Sequence, residues 1–388
     1  MSKKRIGLDG RALGNLNRYR GIGRYTAHLI ESLVQAGNDF QFVLFGYGQE
    51  PDSELLNHRF SSRLEWREIP KPRKPSFSTL LSEHLLFAQA VKDARVNLFH
   101  GIDHNMTPFL SCPFILTVHD LIPLVLRGPY LGPTAWLWMQ AHRFAARKAR
   151  FVIAVSEATL RDINRIWSIP LEHIIVIPEG VAAGCRPVED GHLVKKITSK
   201  YDIKKPYFLY LGGFDPRKNI FNMLLAFKRF LIKTGDAFQF VLCGDTEGFE
   251  GYLMDEIEEM GLRGRVIHTG YVPDSDLPAL YSGATAFIFV SIYEGFGLPL
   301  IEAMACGSPV LASGASSIPE VVGDAGLLVD PLDPAEIVTG MEQLAYNQAL
   351  RKELIKRGLR RSSLFTWDST AGRILMLYNN ILEGGGQG

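Results

Sequence analysis

The sequence lacks the features typical of disulfide-rich, zinc-binding and membrane-spanning proteins. It has only four cysteines, far apart and without a Cys-x-x-Cys pair: Cys112, Cys185, Cys243 and Cys306. This spacing excludes a disulfide framework and offers no zinc-ligand pattern, so we expect reduced thiols in a cytoplasmic protein. No apolar run reaches the roughly 18 residues of a membrane span. The basic opening MSKKRIGLDG has no apolar core of signal-peptide length.

The net charge also gives little information about function. The formal net charge of the 388 residues is +1, with the basic excess in the first half and the acidic excess in the second. No long basic run carries interleaved aromatic residues, so we expect no nucleic-acid partner. The basic first half indicates an anionic partner there. The glycine-rich end, 384–388, is typical of a flexible tail.

What the sequence does contain is a regular alternation of short apolar runs and longer amphipathic stretches. The runs are four to eight residues long and rich in β-branched and aromatic residues, a pattern typical of strands buried on both faces of a parallel sheet. Segments with helical spacing include Tyr25–Ala36, Ala141–Ala149 and Ile220–Lys233. The predicted strands are RIGLD, FQFVLFG, VNLFHG, PFILTVHD, RFVIAVS and HIIVIPEG, then YFLYLGG, FQFVLCG, RVIHTG, ATAFIFVS, SPVLAS and GLLVD.

The length and this alternation predict an α/β protein with two Rossmann-like domains, each with a parallel sheet. A polar stretch bounded by Pro187 and Pro206 marks the seam. We expect a first domain over 1–187, a second over 188–366, and a terminal helix over 367–388 that returns to the first domain and ends in the tail. Two such domains facing each other form a cleft at the carboxyl ends of their strands, where phosphate-bearing ligands bind.

The stretch Tyr293–Val310, YEGFGLPLIEAMACGSPV, predicts a strand-to-helix turn that approaches a ligand. Gly295 and Gly297 free the backbone, and Pro299 stands where the first helical residue should be. The N–H groups around Leu298–Leu300 would then form a diphosphate site at the positive end of a helix.

Two acids flank this turn, Glu294 in the loop and Glu302 in what we expect to be the first helical turn. A diphosphate repels carboxylates, so these side chains should bind something else, and sugar and ribose hydroxyls are suitable donors. The alternative is that glycine and proline only punctuate the turn and that Glu302 complements the helix dipole.

The whole string resembles the E-x7-E signature of the family 4 retaining glycosyltransferases, which have the GT-B fold. The resemblance implies that Glu294 contacts the transferred sugar and Glu302 the ribose of the nucleotide. Phe296, Gly297 and Leu298 would offer backbone contacts to sugar and phosphate, next to Pro299. It also implies a nucleotide-sugar donor and catalysis without a metal cofactor.

A basic pair follows the first strand of the second domain, in YLGGFDPRKN. Arg217 and Lys218 would lie at the carboxyl end of the sheet, where they could bind phosphate and stabilise a leaving diphosphate; a solvated turn is the alternative. Many family members read G-R-x-x-x-x-K-N here, whereas this chain has Gly213 at the arginine position. GGFDPRKN is similar to a mannosyltransferase subset, which favours GDP-mannose as the donor.

A further segment, HTGYVPDSDLPALYSGA, resembles the family's base-binding segment. By this resemblance, Tyr271 and Val272 would contact the edge of the nucleobase, together with Gly270. A strand followed by a helix that Ser275 caps is equally compatible with these residues.

In the first domain, RGIGRYT places Gly21, Gly23 and Arg24 before a helix. The third glycine of a dinucleotide fingerprint is missing, which disfavours a dehydrogenase. By resemblance this loop lies near the leaving phosphate and the acceptor, with Asp9 and Arg11 as further candidates; a simple helix start is the alternative.

Histidines also follow the strands of the first domain. His119 and Asp120 end a buried run, and the family places a histidine here close to the sugar. His100, Asp103 and His104 could shape the acceptor site. Two histidines four residues apart also suggest a metal site, but the sequence shows no set of three metal ligands.

The stretch PTAWLWMQAHRFAARKAR combines aromatic and basic residues, chiefly Trp136, Trp138, Arg143, Arg147 and Lys148. Such a stripe is usually core on one side and solvent on the other. Peripheral contact with an anionic membrane is the alternative, assisted by the basic loop 71–75.

These features predict a glycosyltransferase that moves a hexose, mannose by resemblance, from a nucleotide diphosphate to a hydroxyl of a glycan. The acceptor would be a lipid-linked oligosaccharide of a bacterial surface polysaccharide such as O-antigen, capsule or exopolysaccharide. Two alternatives stay open: a UDP- or ADP-sugar donor, and a non-catalytic subunit that only binds a nucleotide sugar.

Overall fold

The computed structural model describes residues 3–14, 21–48, 62–70, 77–126, 132–246 and 250–384. Arg20, the basic loop 71–75 and the last four residues of the glycine-rich tail lie outside this part. The chain forms two compact units, Met1–Gly180 with Thr366–Gly388, and Val181–Phe365. None of the helices in the described part is long and apolar enough to cross a membrane.

The first unit contains a seven-stranded parallel sheet within the described residues, in the order β3-β2-β1-β4-β5-β6-β7. Its strands are β1 Lys4–Asp9, β2 Phe40–Tyr47, β3 Leu64–Ile69, β4 Leu98–Gly101, β5 Phe114–Val118, β6 Val152–Ala154 and β7 Ile174–Val176. Its helices are α1 Gly21–Ala36, α2 Phe77–Asp93, α3 Ile122–Leu126, α4 Pro133–Lys148, α5 Glu157–Asp162 and, at the end of the chain, α14 Trp367–Gly384.

The second unit contains a six-stranded parallel sheet within its described residues, in the order β10-β9-β8-β11-β12-β13. Its strands are β8 Tyr207–Leu211, β9 Gln239–Cys243, β10 Val266–Gly270, β11 Ala286–Phe289, β12 Val310–Ser313 and β13 Gly326–Val329. Its helices are α6 Gly191–Lys200, α7 Ile220–Thr234, α8 Glu250–Glu259, α9 Leu277–Gly283, α10 Leu298–Ala305, α11 Ile318–Val322, α12 Pro334–Tyr346 and α13 Gln348–Ser362.

The predicted fold class is confirmed: both units are α/β with parallel sheets. Every apolar run that the sequence indicated forms a strand. Most of these strands are buried because helices cover both faces of the sheets; β9, β11 and β12, for example, are buried at every position.

One strand, β3, was not predicted because it carries charge. It is the edge of the first sheet, and of its residues only Ile69 is buried. Glu65 in this strand accepts a hydrogen bond of 2.7 Å from Arg5 in β1. An edge strand half exposed to water lacks the continuous apolar run by which the other strands were recognised.

The predicted helix starts in the first unit were too late. α1 begins at Gly21, so Gly21 and Gly23 form its first turn instead of a loop before it. α4 begins at Pro133, because proline at the first helical position loses no hydrogen bond. α7 begins at Ile220, as its spacing indicated.

The C-terminal helix α14 packs against the first unit. The hydroxyl of Tyr378 lies 2.6 Å from Nδ1 of His100 in β4, whose Nε2 lies 2.8 Å from Oγ1 of Thr117. Burial lowers the pKa of His100 to about 3, so its ring is neutral. At the helix start, Trp367 contacts Tyr25 with ring centroids 5.3 Å apart.

The chain divides into its two units after residues 180 and 365, whereas the boundaries expected from the sequence were 187 and 366.

Candidate functional site

The carboxyl edge of the second sheet has a switch point between β8 and β11. From β8 the order continues to β9 and β10 on one side, and to β11, β12 and β13 on the other. The chain therefore continues from β8 and from β11 toward opposite sides of the sheet, and open α/β sheets bind their ligands at such a point. Arg217 and Lys218 follow β8, and Glu294 follows β11.

These three side chains form one ion cluster, which we call the switch-point cluster. The Nη1 atom of Arg217 lies 2.8 Å from one carboxylate oxygen of Glu294, and the Nζ atom of Lys218 lies 2.7 Å from the other. Arg217 also contacts Asp215 through Nε at 3.1 Å. Lys218 is 9% exposed and Glu294 7%, so solvent screens these interactions little.

The cations keep the Glu294 carboxyl ionised. Burial alone would raise the pKa of Glu294, but the charges of Lys218 and then Arg217, with a hydrogen bond from Lys218, lower it below its usual value. From the sequence, we expected the acids and the basic pair to be separate groups with separate partners. In the structure they neutralise each other.

The side-chain amide of Asn219 and one backbone hydrogen bond hold the two loops together. Asn219, which is 6% exposed, donates a hydrogen bond of 3.0 Å to the carbonyl oxygen of Val290 and another of 2.6 Å to that of Pro331. The N–H of Ile292 donates to the carbonyl oxygen of Arg217 at 2.7 Å. A left-handed φ of 65° at Asn219 turns the chain into α7. The switch-point cluster therefore stands on a rigid frame.

Two serines after β12 position Glu294. The N–H of Glu294 donates to Oγ of Ser316 at 2.9 Å. Oγ of Ser317 lies 3.0 Å from the carbonyl oxygens of both Glu294 and Phe296. Neither serine was among the predicted site residues, nor was Asn219 given a role. Their position after a strand end, at the same edge of the sheet, is the signal that could have found them.

The N-terminus of α10 differs from the prediction. The helix begins at Leu298 with Gly297 as its N-cap at φ 106°, so Pro299 is the second helical residue. Pro299 has no N–H, and the N–H of Leu300 donates to the carbonyl oxygen of Gly297 at 2.9 Å. Fewer backbone donors are thus left for an anion than the sequence suggested, and the cations carry more of this task.

Glu302 lies in the second turn of α10, not the first, and is 2% exposed. Its Oε2 accepts a hydrogen bond of 3.3 Å from the hydroxyl of Tyr281 in α9. The structure thus places its carboxylate deeper than the carboxylate of Glu294, which is held at the loop by cations.

The segment after β10 presents an aromatic side chain. Tyr271 is 55% exposed and follows Gly270, which has a left-handed φ of 66°. Val272 is buried. The N-cap residue of α9 is Asp276, whose side chain makes no capping hydrogen bond. The alternative of a cap by Ser275 was therefore wrong. In the loop after β8, the exposed Gly213 accepts a hydrogen bond of 2.6 Å from Tyr210 through its carbonyl oxygen.

In the first unit, His119 has a protein partner at each ring nitrogen. Nε2 lies 3.0 Å from the carbonyl oxygen of Ile102, and Nδ1 lies 3.4 Å from the carboxylate of Glu179. Burial would lower the pKa of His119, but the hydrogen bond and charge of Glu179 raise it overall. His119 would have to exchange one of these partners to bind a substrate.

The other predicted residues of the first unit lie at the same sheet edge or at the start of α1. His104 pairs with Asp103 at 3.0 Å. Asp120 accepts a hydrogen bond of 3.0 Å from the N–H of Ile122 and so begins α3. Arg24 is half-buried in the first turn of α1. In the described part of the chain, no group of three or more His, Cys, Asp or Glu side chains could hold a metal ion.

Comparison with known proteins identifies the family of each unit. Residues 19–183 match the model of Glycosyltransferase Family 4, and residues 195–361 match that of Glycosyl transferases group 1. Similar curated proteins include the O-antigen chain mannosyltransferase B of Escherichia coli, 29% identical over 92% of this chain and 95% of that protein. The chain belongs to the family 4 glycosyltransferases.

Two more comparisons agree with this family. The MMP alpha-(1->4)-mannosyltransferase of Mycolicibacterium hassiacum is 28% identical over 93% of this glycosyltransferase and 95% of its own length. The solved structure of Anabaena HepE in complex with UDP and glucose covers 97% of the glycosyltransferase and 100% of that chain, with a TM-score of 0.77 and 18% identity. The latter likeness shows the GT-B fold, as the sequence predicted.

Proposed function

We propose that this glycosyltransferase moves a mannosyl group from GDP-mannose to a hydroxyl of a glycan, with retention of the anomeric configuration. The observation that carries this proposal is the switch-point cluster of Arg217, Lys218 and Glu294. A buried lysine, a part-buried arginine and a carboxylate at the ligand-binding edge of a parallel sheet suit a sugar attached to a diphosphate.

Arg217 and Lys218 would stabilise the leaving diphosphate. As the bond between the sugar and the phosphate breaks, negative charge grows on the phosphate oxygens, and fixed cations in a poorly screened site stabilise that charge most. The side-chain amide of Asn219 and the backbone N–H of Ile292 hold the loops that carry these cations. The proposed donor binding requires no metal ion to neutralise the diphosphate.

Glu294 would orient the sugar through its hydroxyls, and Glu302 would accept hydrogen bonds from the ribose. The exposed Tyr271 would contact the nucleobase, together with Val272. Retention by double displacement would require a nucleophile against the anomeric carbon. We instead propose that the departing phosphate accepts the proton of the acceptor hydroxyl on the same face.

The choice of mannose rests on the curated relatives, whose names describe mannosyltransferases. HepE, in contrast, was solved with UDP and glucose. A UDP-sugar donor is therefore the second candidate, and a subunit that binds without transfer is the third.

A donor panel separates these functions. The protein is incubated with GDP-mannose, UDP-glucose, UDP-galactose or ADP-glucose, with and without EDTA, and hydrolysis and transfer to mannose oligosaccharides are followed by mass spectrometry. A product from GDP-mannose in the presence of EDTA, with an α-linkage by NMR, supports the proposal. Turnover of a UDP-sugar alone, or binding without any turnover, contradicts it.

For the acceptor, we propose a lipid-linked oligosaccharide of O-antigen or a related surface polysaccharide, at the cytoplasmic face of the membrane. The outer face of α4 exposes Trp136, Leu137 and Phe144, which are 49%, 56% and 52% exposed. Lys148 lies over the Phe144 ring at 4.6 Å, and Arg147 is exposed nearby. Aromatic residues among cations suit an anionic lipid surface.

Vesicle sedimentation tests this contact. The protein should bind vesicles that contain phosphatidylglycerol and not vesicles of phosphatidylcholine alone, and W136S/F144S should release it. Sedimentation that is independent of lipid charge, or unchanged by the double substitution, contradicts the membrane role of α4.

A further inference from the structure

In the switch-point cluster, one carboxylate pairs with both cations that we assign to the diphosphate. Glu294 would bind the sugar, yet in the structure its two carboxylate oxygens lie 2.8 and 2.7 Å from the cations meant for the diphosphate. A carboxylate and a phosphate have the same charge sign and the same acceptor geometry toward Arg and Lys. Glu294 therefore occupies positions on both cations that a diphosphate would use.

Other contacts also hold the two cations in place. Lys218 is 9% exposed and its Nζ lies 5.5 Å from the centroid of the Phe289 ring. Arg217 is held by the carbonyl oxygen of Tyr293 at 3.0 Å and by Asp215 at 3.1 Å. A diphosphate that reaches Arg217 and Lys218 thus competes with Glu294 for them.

We propose that Glu294 is an internal competitor of the diphosphate, which releases Arg217 and Lys218 when the donor sugar engages its carboxylate and returns to them after transfer. This inference rests on the proposed nucleotide-sugar donor. While the sugar is attached, its hydroxyls occupy the Glu294 carboxylate and both cations serve the phosphates. After transfer the hydroxyls leave, and Glu294 pairs again with the cations and weakens the hold on the nucleoside diphosphate.

The consequence is that Glu294 favours product release. Without this competition the site would bind GDP too tightly, because the free diphosphate carries about one more negative charge than the sugar nucleotide. The loss of the Glu294 charge would also leave the buried Lys218 and the part-buried Arg217 without the carboxylate that pairs with both, which favours any anion that can replace it.

Isothermal titration of GDP and of inorganic pyrophosphate tests the inference with E294Q, which keeps the size of the side chain and removes its charge. We expect E294Q to bind both ligands about tenfold more tightly than the wild type, or about 1.4 kcal/mol. GDP should also dissociate more slowly in stopped flow, and the gain for GDP-mannose should be smaller because the sugar loses its carboxylate partner.

The matched control is E353Q, which removes the same charge from an exposed pair with Arg357 at 2.7 Å in the same unit. It should leave the affinity for GDP unchanged. If E294Q does not fold, E294D replaces it: its carboxylate is one methylene shorter, cannot span both cations as well, and should bind GDP more tightly than the wild type.

The outcomes separate the inference from the proposed function. If the wild type binds GDP and the charge-free or shortened variant binds it equally or more weakly, the inference is wrong while the donor assignment stands. If the wild type binds neither GDP, UDP nor ADP, the proposed function is wrong and the inference falls with it. An equal gain in E353Q would show a general charge effect and would also overturn the inference.

Discussion

Lys218→Met is the perturbation whose effect follows most directly from the geometry. Lys218 is nearly enclosed, and its Nζ lies 2.7 Å from Glu294. Methionine has a similar length and volume but no charge. In the proposed donor complex, the substitution removes one charged hydrogen-bond donor to the diphosphate and leaves Arg217 as the remaining cation of the pair.

A hydrogen bond to a charged group contributes about 1.5–3 kcal/mol, and little solvent screens it at this site. The dissociation constant of GDP should therefore rise about 10- to 100-fold. The loss in kcat/KM should be larger, about 10²- to 10³-fold, because charge on the leaving group grows in the transition state.

The assay is isothermal titration with GDP, together with initial rates on the donor that the panel identifies. Lys233→Met is the control, since Lys233 is an exposed lysine that pairs with Glu342 at 2.8 Å away from the switch-point cluster. Thermal unfolding of both variants verifies that they are folded. A folded Lys218→Met protein that binds GDP within about twofold of the wild type would refute the role of Lys218.

Three further predictions concern other contacts. Glu302→Gln should lower the affinity for GDP about tenfold, as measured by calorimetry, because the ribose loses a carboxylate acceptor. The affinity for pyrophosphate should not change, and equal losses for both ligands would argue against a ribose contact. Tyr378→Phe should lower the free energy of unfolding in urea by about 1–3 kcal/mol, since it leaves the buried His100 ring without its partner at 2.6 Å, and an unchanged midpoint would contradict that contribution. Because Glu179 raises the pKa of His119, their pair should stabilise the fold fully below the usual histidine pKa of 6.5 and lose this effect as pH rises through the higher folded value; urea titrations of Glu179→Gln should lack this component, and an identical pH profile would refute the pairing.

Much of the fold could be predicted from the sequence because buried parallel strands leave a strong local signal. The run FQFVLCG, for example, contains β9, whose residues are all buried. The exposed edge strand β3 has no such signal, because its charged residues make contacts with strands distant in sequence. Arg5 and Glu65 show this: their hydrogen bond depends on the sheet order and not on local spacing.

The candidate site was predictable residue by residue but not as an arrangement. The motif identified Arg217, Lys218 and Glu294, but their mutual ion pairs depend on β8 and β11 being neighbours in the sheet. The supporting serines, Ser316 and Ser317, follow a third strand and carry no motif of their own. Only the assembled sheet brings these loops to one edge.

A crystal structure of the protein with GDP is the decisive measurement. We expect the diphosphate to contact both Arg217 and Lys218 at the end of β8 and the ribose to face Glu302. A nucleotide bound elsewhere in the molecule, with the pairs of Glu294 to both cations still intact, would contradict it.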